Sequence, residues 1–217
     1  MSRGLFLVLE GTEGAGKSTQ VGLLLKWFAE IGLPHHTARE PGGTPVGEAI
    51  RHVLLEMREM EVPAETELFL MVGARAAFVR GLVEPVLQEG KLFLADRFDW
   101  STFAYQGFGR GLDLEKVKQI NAFATDGLRP DLYLVLDLPA DEGVARQQVE
   151  GKEADRIERA GSDFLVRVRE GYRLLAADAA DAELIDARGT PEQVHGRIRD
   201  ALIRRFPETF GMEHTQG

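Results

Sequence analysis

Cysteine is absent from the 217-residue chain, so neither a disulfide framework nor thiolate chemistry is available to it. That suits a reducing cytoplasm, where the protein is expected. Long hydrophobic runs are also missing. The short apolar run near the N-terminus meets glycine and acid instead of a cleavage site, so neither a signal peptide nor a membrane span is read. Positive charge is scarce: 26 Lys and Arg against 35 Asp and Glu leave a net charge of −9. A nucleic-acid partner, which would need a basic face, is therefore not expected, nor is a membrane. If the ligands are phosphorylated, the cations that bind them must be gathered in a cleft against the overall field.

What is present is an ordinary globular balance, 44% apolar and 28% charged, enough for one domain with a full core. Leu5–Glu10, Leu92–Ala95, Leu132–Leu136 and Leu184–Ile185 read as strands, the first three as apolar runs suited to burial on both sheet faces. Helical patterns cover Ser18–Glu30, Pro45–Met57 capped by Thr44, and Ala64–Gln88 with a break at Pro85. Further helices run from an Asp113 cap to Thr125, from about Asp141, from Asp163 to Ala177, and onward from a Thr190–Gln193 capping box. Phe69 reads as a core aromatic. Strands alternating with helices predict a single α/β domain, residues 1–210, with a parallel sheet covered on both faces. The stretch after Phe206 reads as polar and loose, with 211–217 as a tail.

One motif carries chemistry on its own. Gly11-Thr12-Glu13-Gly14-Ala15-Gly16-Lys17-Ser18 matches G-x-x-x-x-G-K-[ST] in full, between a strand and a helix. Its glycines let successive N–H groups point at phosphate oxygens, and the helix adds its N-terminal partial charge. Lys17 should reach the β- and γ-phosphates of a bound nucleotide, and the Ser18 hydroxyl should ligate Mg²⁺; Thr19 completes the nucleotide-binding run. A strand-end acid is then needed for the metal's water shell. Asp96 and Asp137 both qualify, and the adjacent Arg97, a cation for phosphate, favours Asp96.

Beyond the loop, Arg39-Glu40-Pro41-Gly42-Gly43-Thr44, then Asp96-Arg97 with Ser101-Thr102 and Ala104-Tyr105-Gln106-Gly107, then Asp155-Arg156-Ile157-Glu158 follow in order. With these segments the chain resembles the bacterial thymidylate kinases from about Leu5 to the last helix. The resemblance implies a P-loop nucleoside-monophosphate kinase fold of three layers, usually a homodimer, and Mg²⁺-dependent transfer of the γ-phosphoryl of ATP to dTMP. It implies that Glu13 lies near the 3′-hydroxyl of dTMP, that Arg39 and Arg97 hold its phosphate, and that Arg75 meets the thymine edge. Pro41, Met71, Ser101, Thr102 and Gln106 would line the acceptor pocket, with Tyr105 crowding the 2′ position. Arg146 would serve ATP, and a mobile lid at about 146–161 would supply a transition-state cation.

The residue types suit the task. A phosphate acceptor is largely dianionic at neutral pH, so no strong base is needed. The work is to overcome repulsion between polyanions and hold them in line, for which arginine's planar fork is suited. Arg51 and Arg80 read as solvated surface arginines. Arg75, inside a helix, and Tyr105 read equally as ligands or as structural residues. Two departures from the family pattern stand out. Met71 occupies a position where a Phe usually stacks on the base, leaving Phe69 or Phe98 to compensate. Gly14 leaves the loop without an arginine, so Arg156 is expected to be catalytic, with Arg146, Lys152 and Arg159 as further lid cations. A deoxynucleoside kinase is disfavoured because a neutral acceptor offers Arg39 and Arg97 no phosphate. A nucleotide sensor without turnover is disfavoured by intact Lys17, Ser18, Asp96 and Arg97.

Overall fold

The computed structural model describes residues 3–57, 59–149, 151, 156–157 and 160–211. Five strands, β1 (Phe6–Gly11), β2 (His35–Arg39), β3 (Leu92–Asp96), β4 (Leu132–Asp137) and β5 (Ala182–Asp186), form one parallel sheet in the order β2-β3-β1-β4-β5. Every residue of β1 is buried, and so are those of β3 and β4 up to their final aspartates. Two-sided burial is why these strands are legible as unbroken apolar runs. β2 was not foreseen. It is an edge strand that among the described residues pairs with β3 alone, its sequence is HHTAR, and its residues are half-buried or exposed.

Side-chain alternation divides the core in two. Leu7 and Leu9 of β1 face one layer with Leu94 and Leu134, against Leu24 and Phe28 of α1 (Lys17–Glu30) and Ile198 of α9 (Pro191–Arg205). Phe6 and Val8 face the other with Phe93 and Val135, against α3 (Ala64–Phe78), α6 (Leu114–Thr125) and α8 (Ser162–Ala177). The remaining helices are α2 (Pro45–Arg51), α4 (Glu84–Gln88), α5 (Asp99–Thr102), α7 (Ala140–Val149) and α10 (Pro207–Phe210). The architecture is the expected α/β sheet with helices on both faces.

The expected caps form. Thr44 accepts from the Gly47 amide, Asp113 from those of Glu115 and Lys116, and Thr190 and Gln193 close a capping box. The long helical stretch is interrupted by a π-helical turn, Val79–Val83, just before Pro85. A proline has no N–H to donate and its ring clashes with the carbonyl four residues back, so the wider turn lies on its N-terminal side. Two further π-helical turns, His52–Glu56 and Phe103–Gly109, follow α2 and α5.

Two expectations are corrected. Phe69 is 61% exposed: α3 buries Leu68, Val72 and Arg75, and Phe69 lies on the other side. The chain after Phe206 is not loose throughout, because Phe210 of α10 is buried with its ring stacked 5.3 Å from that of Trp27. Most of the tail lies outside the described residues. Among the described residues no helix is long and apolar enough to cross a membrane.

Candidate active site

β1 and β3 are neighbours, yet the chain leaves β1 for α1 on one face and β3 for α5 on the other. Such a divergence opens a crevice at the carboxyl ends of the strands. The glycine-rich loop turns there, with Gly14 at φ 72° and Gly16 at φ 91°. Gly14 is required for a second reason: Gly143 of α7 lies so close that a Cβ at position 14 would overlap its carbonyl. No side chain caps α1 and no acid occupies its first turn, which leaves N–H groups and partial positive charge facing the crevice. Lys17 is buried, its ammonium donating to the carbonyls of Gly11 (3.1 Å) and Thr12 (2.8 Å). Burial, reinforced by the Arg97 cation, lowers its pKa. Ser18 and Thr19 are exposed on the same first turn.

Across the crevice, Arg97 adopts φ 73°, the left-handed region that side-chain-bearing residues rarely enter. The turn sends its guanidinium back over the end of β1. There it donates to the Gly11 carbonyl (2.9 Å) and the Ser101 hydroxyl (3.1 Å) and forms an ion pair with Glu13. Burial would push the Glu13 carboxyl up, but Arg97 and Lys17 outweigh it and hold it at about 2. Beneath them is a carboxylate that the sequence reading passed over. Fully buried Glu10 accepts from the amides of Phe98 (2.8 Å) and Ser101 (3.0 Å) and from the hydroxyls of Ser101 (2.7 Å) and Tyr172 (2.9 Å). It pins the turn after β3 to the end of β1. Its signal was an acid inside an otherwise apolar strand, next to the glycine-rich loop. Burial raises its pKa, against Arg97.

A cavity of about 300 Å³ opens beside this arrangement. Of the residues expected around the acceptor, Glu13, Pro41, Met71, Arg75, Arg97, Ser101, Thr102, Tyr105 and Gln106 all line it. Arg39 does not join them. It is 54% exposed and pairs with Glu48 at 3.3 Å. The cation on that side is Arg51, which lines the cavity and donates to the Pro41 carbonyl at 3.1 Å. Its expected surface role is thereby corrected. Arg51 stands four residues after buried Gly47, on the same face of α2, and that spacing is the signal missed. Glu40, Leu55, Gln147 and Ile157 complete the lining. Neither Phe69 nor Phe98 reaches it; Phe98 is buried, with the Arg75 guanidinium 5.3 Å from its ring centre.

Arg75 is 2% exposed, with its donors taken. Nε donates to Glu40 at 2.8 Å, one terminal nitrogen to Thr102 (2.9 Å) and Asn121 (3.0 Å), and the other to the Phe98 carbonyl (2.9 Å). It presents a rigid, satisfied guanidinium to the cavity. Burial pushes Glu40 up to about 7 and Asp99, bonded to Asn121 and Tyr133, to about 6, despite Arg75. Tyr105 fits both of its readings: it lines the cavity, is buried, and holds its ring under Arg97, 5.4 Å from the guanidinium carbon.

The two acids at strand ends are in different states. Asp137 is held bidentately by Arg169 at 2.7 and 3.0 Å, whereas Asp96 has a buried carboxylate oxygen with no hydrogen-bond partner among the described residues. Arg146 bridges the glycine-rich loop and the segment after β5, donating to the carbonyls of Gly14 (3.5 Å) and Ala187 (3.1 Å). Arg156 is not brought to the loop. Its guanidinium donates to Glu67 at 2.6 Å and to the Leu54 carbonyl at 2.8 Å, and it lines a separate cavity. Lys152 and Arg159 lie outside the described residues.

The family model for thymidylate kinase matches residues 9–198. The chain belongs to the thymidylate kinase family. The thymidylate kinase of Desulforudis audaxviator is 46% identical over 216 residues, covering 96% of this chain and 95% of that one. That of Thermosynechococcus vestitus is 42% identical, covering 99% and 94%. A crystal structure of thymidylate kinase from Ehrlichia chaffeensis superposes with a TM-score of 0.75 at 27% identity, covering 92% of this chain and 98% of that one. The fold is that of the P-loop nucleoside-monophosphate kinases, and the thymidylate kinase reaction is transfer of the γ-phosphoryl group of ATP to dTMP, giving dTDP and ADP.

Proposed function

We propose that the crevice works as two facing half-sites joined at Arg97. ATP occupies the loop side: its phosphates lie on the N–H groups of residues 11–19, Lys17 reaches the transferring group, and its base lies towards Arg146. dTMP occupies the cavity, with its phosphate between Arg51 and Arg97, its sugar at Glu13 and Tyr105, and its base against Met71, Arg75 and Gln106. The observation that carries this division is the left-handed turn at Arg97, which places one guanidinium against both Gly11 of the loop and the cavity. The dianionic acceptor attacks without a base; the cations lower its repulsion from ATP and hold the two in line.

Asp96 and Ser18 fit a hard divalent cation such as Mg²⁺. A buried carboxylate oxygen without a partner is costly unless something positive or a metal-bound water meets it. Bound there, the ion would neutralise charge on the phosphates. Loop-lid coupling is supported by Arg146 and by the contact of Gly143 on Gly14, so the segment at about 146–161 serves as the lid of a single kinase domain spanning residues 1–210. Phe69 (61% exposed) on α3 and Phe123 (89% exposed) on the adjoining α6 support a homodimer through these helices; the absence of cysteine suits a cytoplasmic setting.

The test is a panel of nucleoside monophosphates with ATP and Mg²⁺, run on the parent and on Asp96→Asn. dTMP should be converted fastest, and the variant should need at least tenfold more Mg²⁺ for half-maximal rate. An unchanged metal requirement would remove Asp96 from the metal site.

A further inference from the structure

Behind the base end of the cavity lies a carboxylate that does not line it. Glu67 of α3 is 0% exposed and accepts four N–H bonds from the described residues. One oxygen takes Gln106 Nε2 at 2.8 Å and Arg110 Nε at 3.2 Å. The other takes Arg110 at 3.2 Å and Arg156 at 2.6 Å. Two arginines would have sufficed to neutralise the charge. Gln106 is the informative partner, because an amide has a donor end and an acceptor end and can be turned either way round.

An ionised carboxylate only accepts, so Glu67 can hold Gln106 only by its NH₂. The carbonyl oxygen is then the end left for the cavity that Gln106 lines. The same carboxylate seats Arg156, whose neighbour Ile157 lines that cavity, and Arg156 is tied as well to the carbonyl of Leu54, next to lining residue Leu55. Burial alone would push the Glu67 pKa up, but the bonds from Arg110, Gln106 and Arg156 hold it below the usual range, so it stays an acceptor at neutral pH.

We propose that Glu67 is a positioning residue for base recognition: it fixes the Gln106 amide so that the pocket offers an acceptor to the N3–H edge of a 4-oxopyrimidine, and it seats Ile157 over the same base. A 4-aminopyrimidine, whose N3 carries a lone pair and no hydrogen, would set lone pair against lone pair there. This rests on the placement of the dTMP base beside Gln106 proposed above. Glu67 touches no substrate atom; it acts through Gln106 and Arg156.

The experiment compares kcat/KM for dTMP and for 5-methyl-dCMP, which share the methyl group and differ at the base edge, in the parent, Glu67→Gln, Glu67→Asp and Gln106→Ala. A glutamine at 67 can donate as well as accept, so Gln106 can turn over. The preference for dTMP should then fall on the order of tenfold, with KM for ATP unchanged. Glu67→Asp, still acceptor-only, should slow both substrates and keep the ratio. If Glu67→Gln slows both substrates by one factor while Gln106→Ala shifts the ratio, the base is where we place it and the role of Glu67 falls. If neither variant shifts the ratio, the placement of the base itself fails. Should Glu67→Gln not fold, the side-chain amide of Gln106 in ¹⁵N-labelled parent protein decides. With ¹³C added to the label and ¹³C,¹⁵N-labelled dTMP bound, base N3–H should show hydrogen-bond coupling to the Gln106 side-chain carbonyl carbon, and coupling of the Gln106 NH₂ to a base carbonyl instead would overturn the proposal.

Discussion

The two ends of the crevice are built from different materials. At the loop end, where we place the phosphates, the groups are main-chain N–H groups of a glycine-rich loop and helix start, with Lys17 on the first turn of α1 and Arg97 just after β3. At the far end of the cavity, where we place the base, the groups are side chains, Met71, Arg75, Thr102 and Gln106, in a network with buried Glu40, Glu67 and Asn121 from separate elements. A main-chain site depends on a few glycines and a cation. A side-chain site depends on every member of its network being satisfied, so the loss of one spreads to the others.

The widest separation of the two ends should come from Lys17→Ala. Its turnover should fall by about 10²–10³, since a preorganised cation on the transferring group is removed. Binding of dTMP, followed by calorimetry, should change little; near-normal turnover would break the division into half-sites. Next comes the pair Arg51→Ala and Arg39→Ala. Removing the cavity-lining arginine should raise KM for dTMP on the order of 10- to 100-fold, because a charge-assisted phosphate contact goes. Removing the exposed one should change it by less than about threefold, as exposed ion pairs contribute little.

At the base end, Arg75→Ala should register in stability before it registers in specificity. It strands buried Glu40 and empties the bonds to Thr102 and Asn121, a loss of about 3–5 kcal/mol measurable by urea unfolding. A smaller and graded effect is expected from pH. Glu40, raised to about 7, binds its proton more tightly in the folded chain than in the unfolded one. The stability it contributes is complete below the ordinary carboxylate range and is lost as pH rises through about 7. Melting temperature should therefore decline between pH 5 and 7.5, and Glu40→Gln should flatten the decline. The least effect is expected from Met71→Phe, which should alter kcat/KM for dTMP by less than about tenfold, since it changes one face of the base pocket and no hydrogen bond.

The same contrast explains what could be read from the residues alone. Lys17 and Ser18 close a complete loop motif, and Asp96 and Arg97 end an apolar strand, so local pattern singled them out, as it did the caps Thr44, Asp113 and Thr190. β2 escaped because an edge strand half open to water has no apolar run to announce it. Glu10 and Glu67 escaped because nothing local distinguishes a buried acid from a solvated one: their partners stand between 39 and 162 residues away. That Arg51 lines the cavity and Arg39 does not was illegible for a related reason. Both are arginines near a glycine-rich turn, and only the packing of α2 decides which one faces the cavity.

The contact between Gly14 and Gly143 bears on how this layout could change. An arginine placed in the loop at position 14 would have to displace α7, and with it the start of the segment that carries Arg146. A cation delivered from the loop and a helix resting on the loop are thus alternatives that exclude one another. No single substitution leads from one to the other, and a chain committed to the resting helix must draw its additional positive charge from elsewhere.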